Sequence, residues 1–306
     1  MQETQRTFTV PESPSSRGTL QLFSRYWSPE TACKATVFGV HGICEHSGRY
    51  ARFAEDLCRN GYALRMIDLR GHGKSEGPRA HVQRFDQYLE DIDAVLAELE
   101  REGAYPDFLL GHSMGAAIMG LYGALRRPPV KGVVLSAPPV IVGGPMMPLL
   151  RYLALTVSRL LPGLRLVKMN TPVLMKFGAK YLSHDPRVVE DFRNDPLVYR
   201  GRLSTRLAGE VLQASRRLRK VAGRFQAPLL LLHGTGDVIA RSSGSELFHR
   251  LAGSHDKTLK LYPGFYHEVL GETERDRVIA DVIAWLDAHF DACSESNDAD
   301  VADATP

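Results

Sequence analysis

Apolar positions along the chain follow two alternating rhythms. Short apolar or β-branched runs occupy residues 20–27, 35–40, 62–67, 108–111, 132–136, 229–233 and 257–262, most of them with the length and composition of strands covered on both faces. Between them, near 49–59, 86–101, 114–126, 242–252 and 274–289, apolar residues recur at helical spacing. In the last segment Val278, Val282, Ile283, Trp285, Leu286 and Phe290 share one face, with Asp and Arg between them. The alternation predicts an α/β chain with a mostly parallel sheet and helices on both faces. Ligands of such sheets bind beyond the carboxyl ends of the strands, so the residues just after each strand are where chemistry is expected.

The rhythm breaks between 138 and 225, where helical patterns continue without a convincing strand. This stretch reads as a helical cap inserted into a core built from 1–137 and 226–290. The tail, 291–306, has five acidic residues and no basic ones, a composition that predicts disorder.

Composition changes this picture in three places. With 306 residues, 44% hydrophobic, the chain is long enough to bury a core without disulfides or metals. Its formal charge of +3 gives no reason to expect nucleic acid as a partner. Cys33, Cys44, Cys58 and Cys293 sit at no metal-ligand or CxxC spacing. No signal-peptide run opens the chain, and no stretch reaches the roughly 18 apolar residues of a membrane span. A cytoplasmic, reduced protein is expected.

The charge is unevenly placed, however. Between 145 and 224 there are 16 Lys and Arg against 5 Asp and Glu. Within that stretch, 149–161 lies between two prolines and reads as an amphipathic helix, with Leu149, Leu153, Val157, Leu160 and Leu161 on one side and Arg151, Ser158 and Arg159 on the other. A basic helix of this kind can lie in a membrane interface, so peripheral contact with anionic membrane is a second expectation.

The candidate chemistry begins with a repeated pattern. Gly111-His112-Ser113-Met114-Gly115 and Gly73-Lys74-Ser75-Glu76-Gly77 both match G-x-S-x-G. Ser113 follows the apolar run Phe108-Leu109-Leu110 and precedes a helix-forming run, as a strained strand-to-helix turn requires. Ser75 lies in a charged loop shortly before Pro78, which disfavours a helix there. Ser113 is therefore the predicted nucleophile. That loop fails as a phosphate site too, since its glycines fit neither the Walker A nor the dinucleotide spacing. No HExxH motif is present, and no metal is expected.

A serine hydroxyl needs a base, usually a histidine oriented by a carboxylate. Asp237 follows the strand at 229–233, in His233-Gly234-Thr235-Gly236-Asp237, and His267 follows the next strand, in Pro263-Gly264-Phe265-Tyr266-His267. Alone, Asp237 is an ordinary turn residue and His267 a loop histidine packed on aromatics. Together with Ser113, in the order Ser, Asp, His and each beyond a strand, they predict a catalytic triad. Two N–H donors must face the oxyanion. The residues suggest Met114, at the helix start, and Ile43, in the turn after 36–40, with His41 structural.

These residues resemble the monoacylglycerol lipases of the α/β-hydrolase superfamily. The matching runs are HGICEHSGRY (41–50), DLRGHGKSEG (68–77), GHSMGA (111–116), LSAP (135–138), NDPL (194–197) and YPGFYHE (262–268), in family order through most of 35–290. The resemblance implies an α/β-hydrolase sheet of about eight strands, a helical cap and cleavage of a single-chain acylglycerol or related lipid ester, with no cofactor. It also implies that Glu45 and Arg49 help form the polar pocket for the glycerol head group. A pocket tyrosine of the mammalian enzyme aligns with Phe192, and a lysine after its histidine aligns with Gly271, so two polar groups are missing on the alcohol side. A lysophospholipase, an acyltransferase or another carboxylesterase would carry the same triad. A non-catalytic receptor on this fold would be expected to have lost part of it.

Overall fold

The computed structural model describes residues 1–12, 18–142, 156, 160–161, 164, 167–168 and 179–302. The described strands are β1 (Gln2–Pro11), β2 (Thr19–Ser28), β3 (Ala35–Val40), β4 (Tyr62–Ile67), β5 (Phe108–His112), β6 (Gly132–Ser136), β7 (Val167–Lys168), β8 (Arg202–Leu203), β9 (Leu229–Gly234) and β10 (Lys257–Tyr262). Eight of them form one sheet, ordered β1-β2-β4-β3-β5-β6-β9-β10. From β4 to β10 every pairing is parallel, and the antiparallel β1 and β2 close one edge.

All seven expected strands lie in this sheet, and β1 is the addition. Its sequence hides it. Most of its side chains face solvent, and only Phe8 and Val10 are buried. It is held by pairing with β2 along its whole length, from Gln2 opposite Ser28 to Pro11 opposite Thr19. The buried Arg70 guanidinium pins its end, donating to the carbonyls of Pro11 and Glu12 while pairing with Asp91.

Uninterrupted apolar strands are explained by the two layers they serve. Phe38, Val40, Leu109, Val133, Leu135, Leu229 and Leu231 enter one core, with α2 (Asp86–Arg101) and α3 (Met114–Leu125). Their alternating neighbours Val37, Phe108, Leu110, Val134, Leu230 and Leu232 enter the other. That second core is covered by α1 (Ala51–Arg59), through Phe53, Ala54 and Leu57, and by Val278, Val282, Trp285 and Leu286 of the C-terminal helix. Because side chains alternate across a strand, a sheet buried on both faces leaves few positions for polar residues.

The segment between β6 and β9 contains α4 (Pro186–Asn194), α5 (Thr205–Val221) and the short β7–β8 pair. Two-residue strands are too short to leave a sequence signal. The helix α5 lies at the C-terminal end of the stretch 138–225 expected to form a cap. Leu207, Ala214 and Leu218 of α5 belong to the sheet-facing core, and a Cβ on Gly120 of α3 would lie 2.9 Å from Leu218. An amphipathic helix packs on whichever apolar surface it meets, and its sequence does not say whether that surface is a cap or a core.

The expected helix at 149–161, with Arg151 and Arg159, lies outside the described residues apart from positions 156, 160 and 161. Leu160, Leu161 and Leu164 are exposed. After α6 (Ser242–Leu251), the final helix α7 runs from Arg275 to Ala302. This helix extends into the acidic stretch from 291, and neither glycine nor proline occurs in α7 to stop it. Among the described residues, no helix is long and apolar enough to cross a membrane.

Candidate active site

The chain turns from β5 into α3 at Ser113, with φ 53° and ψ −119°. A non-glycine residue in such a conformation costs on the order of 1–3 kcal/mol and persists only where its surroundings enforce it. The flanking glycines are part of that enforcement. A Cβ on Gly111 would lie 2.4 Å from the Gly115 carbonyl oxygen, and one on Gly115 would lie 2.4 Å from that of Val40. Strand and helix therefore cross at backbone contact, and Ser113 is held at the apex.

The turn after β9 brings Asp237 to the same end of the sheet, and the loop after β10 brings His267. Ser113 Oγ is 2.8 Å from His267 Nε2, and His267 Nδ1 is 2.6 Å from Asp237 Oδ2. All three side chains sit in a nearly closed setting. Burial alone would depress the pKa of His267, but the charge and hydrogen bond of Asp237, with Glu268 and Glu45 beyond, raise it above its ordinary value. Burial works to raise Asp237, yet His267 and His233 hold it well below the usual carboxylate range. His112, packed 4.9 Å from the His267 ring, is pushed down to about 3 by burial and by that neighbour. At neutral pH this leaves an ionised Asp237 under a basic His267, with His112 uncharged.

The loop after β3 passes against this turn. The Gly42 N–H donates to Glu45 Oε1 at 2.5 Å, which fixes the chain direction just before Ile43. His41 accepts from the Leu69 N–H through Nε2 at 3.0 Å, while its Nδ1 lies 2.7 Å from the Gly42 carbonyl. Both ring nitrogens are thus engaged with backbone groups. Met114 is the first residue of α3, where peptide N–H groups point out of the helix.

Glu45 and Arg49 lie beside a cavity of about 710 Å³, also lined by His112, Asp191, Asp195 and Glu268. They are not free surface charges. Arg49 Nε donates to Glu45 Oε2 at 3.2 Å, and its Nη2 donates to both oxygens of Glu268 at 2.9 and 2.7 Å. One guanidinium thus joins the loop after β3 to the loop of His267. Burial would raise Glu45, but the imidazolium form that His112 takes in acid, the Arg49 charge, the imidazolium form of His41 and the Gly42 N–H lower its pKa; burial and Glu45 raise that of Glu268. The Phe192 ring lies 5.0 Å from the Arg49 guanidinium, and Gly271 lines the cavity.

Three residues near the site had no role in the sequence reading. Glu268 directly follows His267, and an acid beside the expected base was the available signal. Glu272 ties the histidine loop to the foot of the inserted segment: Oε1 accepts from the Tyr266 N–H at 2.8 Å and lies 3.0 Å from His184 Nδ1. His233, four positions before Asp237, lies 3.1 Å from Asp237 Oδ2.

A mostly parallel eight-stranded sheet, flanked by helices and carrying a serine turn after a central strand, defines the α/β-hydrolase class. Residues 31–274 match the family described as serine aminopeptidase, S33. The monoacylglycerol lipase of Mycolicibacterium smegmatis is 32% identical over 274 residues, covering 89% of this chain and 95% of that protein. The human monoglyceride lipase is 36% identical over 248 residues, 80% of this chain and 79% of its own. The crystal structure of a Paleococcus ferrophilus monoacylglycerol lipase superposes with a TM-score of 0.77 at 33% identity, covering 88% of this chain and 99% of that one. The chain belongs to the monoacylglycerol lipase family.

Proposed function

We propose that this chain is a serine esterase that hydrolyses monoacylglycerols to fatty acid and glycerol. The observation that carries the reading is the continuous relay from Ser113 Oγ through His267 to Asp237, at 2.8 and 2.6 Å. The relatives' substrate and the polar cavity beside His112 support the choice of ester. In this reading, Ser113 Oγ attacks the ester carbonyl carbon while His267 Nε2 takes its proton. The negative charge on the carbonyl oxygen is met by the N–H groups of Met114 and Ile43. Collapse breaks the carbon–oxygen bond, and the proton on His267 leaves with glycerol. Water, deprotonated by the same nitrogen, then attacks the acyl-Ser113 ester and releases the fatty acid. Glu45 and Arg49 line the cavity that takes the glycerol side.

The inserted segment between β6 and the start of α5 serves as the cap, and it rests on anionic membrane from which substrate enters. Its excess of Lys and Arg and the exposed Leu160, Leu161 and Leu164 support this. Vesicle co-sedimentation tests docking: anionic lipid should retain the wild type at low salt, and Arg151→Glu/Arg159→Glu should release it. Equal binding to zwitterionic vesicles would reject it. Activity is tested by product analysis across monoacylglycerols, lysophospholipids and short esters. Glycerol and fatty acid should be released fastest from monoacylglycerols. Faster cleavage of a lysophospholipid, or an alcohol ester formed in place of free acid, would overturn the assignment.

A further inference from the structure

Asp237 lies between two histidines, only one of which the reaction uses. Its Oδ2 meets His267 Nδ1 at 2.6 Å and His233 Nε2 at 3.1 Å, and its Oδ1 accepts the N–H groups of Ile239 and Ala240 at 2.8 and 3.0 Å. Beyond His233, Nδ1 lies 2.7 Å from Ser245 Oγ, on α6. The contacts Ser113–His267–Asp237–His233–Ser245 therefore run serine, histidine, carboxylate, histidine, serine. One carboxylate oxygen stands at the centre. The outer ring is reversed, presenting Nε2 to the carboxylate where His267 presents Nδ1.

The outer arm is sealed. His233 and Ser245 are both 0% exposed, so Ser245 cannot meet a substrate. The protons in this arm follow from its neighbours. His233 Nε2 sits between Asp237 Oδ2 and the Ala240 carbonyl oxygen, 2.9 Å away, and both are acceptors, so Nε2 carries hydrogen. In the neutral ring Nδ1 is then an acceptor, and the Ser245 hydroxyl donates to it. Ser245 thereby satisfies the nitrogen left as acceptor in the tautomer that offers a donor to Asp237.

We propose that His233, its other nitrogen satisfied by Ser245, is a positioning residue that holds Asp237 under His267 and moderates the basicity of His267. The proposal rests on the reading of Asp237 as the residue that orients His267. With four donors on its two oxygens, the carboxylate cannot rotate without losing several bonds at once. A donor on Oδ2 also withdraws charge from the oxygen that stabilises the His267 imidazolium. Among the described residues, the ionisable groups facing His267 are Asp237, Glu268, Glu45 and His112, with Arg49 between the two glutamates, and the one facing His233 is Asp237.

The test is the pH dependence of kcat/KM for wild type, His233→Leu, His233→Gln and Ser245→Ala, with thermal melts and fluorophosphonate labelling of Ser113 on each. Without the second donor, Oδ2 binds the imidazolium proton of His267 more strongly, so in His233→Leu the acid limb should move up by about half a pH unit. Loosened geometry should lower kcat about tenfold. His233→Gln, whose amide donates to the same oxygen, should restore both, and Ser245→Ala should move the limb the same way by less. A His233→Leu protein that melts and labels like wild type with an unmoved acid limb overturns the proposal. If that variant does not fold, an unmoved limb in Ser245→Ala overturns it instead. Failure of wild type to label at Ser113 would count against the triad, not against His233.

Discussion

Gly73-Lys74-Ser75-Glu76-Gly77 and Gly111-His112-Ser113-Met114-Gly115 are the same pattern in one chain, set in opposite surroundings. Ser75 is fully buried in a loop, where its hydroxyl donates to the Asp68 carbonyl at 2.5 Å and accepts the Phe23 N–H at 2.8 Å. It staples the loop after β4 to the middle of β2. Ser113 keeps 9% of its surface, sits at φ 53°, and has His267 Nε2 as its partner. The pattern itself supplies only small residues around a serine. What sets Ser113 apart, and carries the proposal that it is the nucleophile, is a strand that ends before it, a helix that begins after it, and a histidine brought in from a distant loop.

The comparison breaks most sharply on substitution of the two serines. Ser113→Ala should lower kcat by about 10⁶-fold, leaving the residual rate that binding and oxyanion donors give alone, with the melting curve unchanged. Ser75→Ala should keep its turnover. Asp237→Asn comes next. By favouring the wrong tautomer of His267 it should cost about 10⁴-fold in kcat, the loss the serine-protease triad shows for the same change. Turnover above a tenth of wild type would remove Asp237 from the relay. Glu45→Ala should cost about 10²-fold in kcat, because the Gly42 N–H loses the acceptor that sets the loop before Ile43. A change confined to KM would assign Glu45 to substrate contact alone.

The pH profile sharpens the electrostatic half of the contrast. His267 acts as a base only when neutral, and its pKa is raised. The acid limb of kcat/KM should therefore lie above the ordinary histidine value of about 6.5, with activity falling as pH drops through it. A limb below that value would mean that burial outweighs the Asp237 charge. The smallest effect is on stability. Ser75→Ala leaves the Phe23 N–H and the Asp68 carbonyl without their partner, and chemical denaturation should show a loss of about 1–3 kcal/mol.

The sequence made some of this legible and concealed the rest, for physical reasons. The central strands could be read because burial on both faces leaves them mostly apolar along their length. That Ser113, Asp237 and His267 meet could be read because each follows a strand, and their order follows the sheet. The edge strand β1 could not, because pairing with β2 holds it while most of its side chains face water. The helix α5 carries an apolar stripe like any other, and only the packing of Leu218 over Gly120 shows which layer it joins. The links from Arg49 to Glu268 and from His233 to Asp237 depend on how loops meet at the end of the sheet. Periodicity carries no information about such meetings.

The central claim is that Ser113, and not its twin, forms the acyl-enzyme. Its most direct test is to inactivate the wild type with a fluorophosphonate and map the modified peptide by mass spectrometry. One adduct per chain is expected, on the peptide containing Ser113, and none should form in Ser113→Ala. An adduct on the peptide containing Ser75, or labelling that survives Ser113→Ala, would contradict the account.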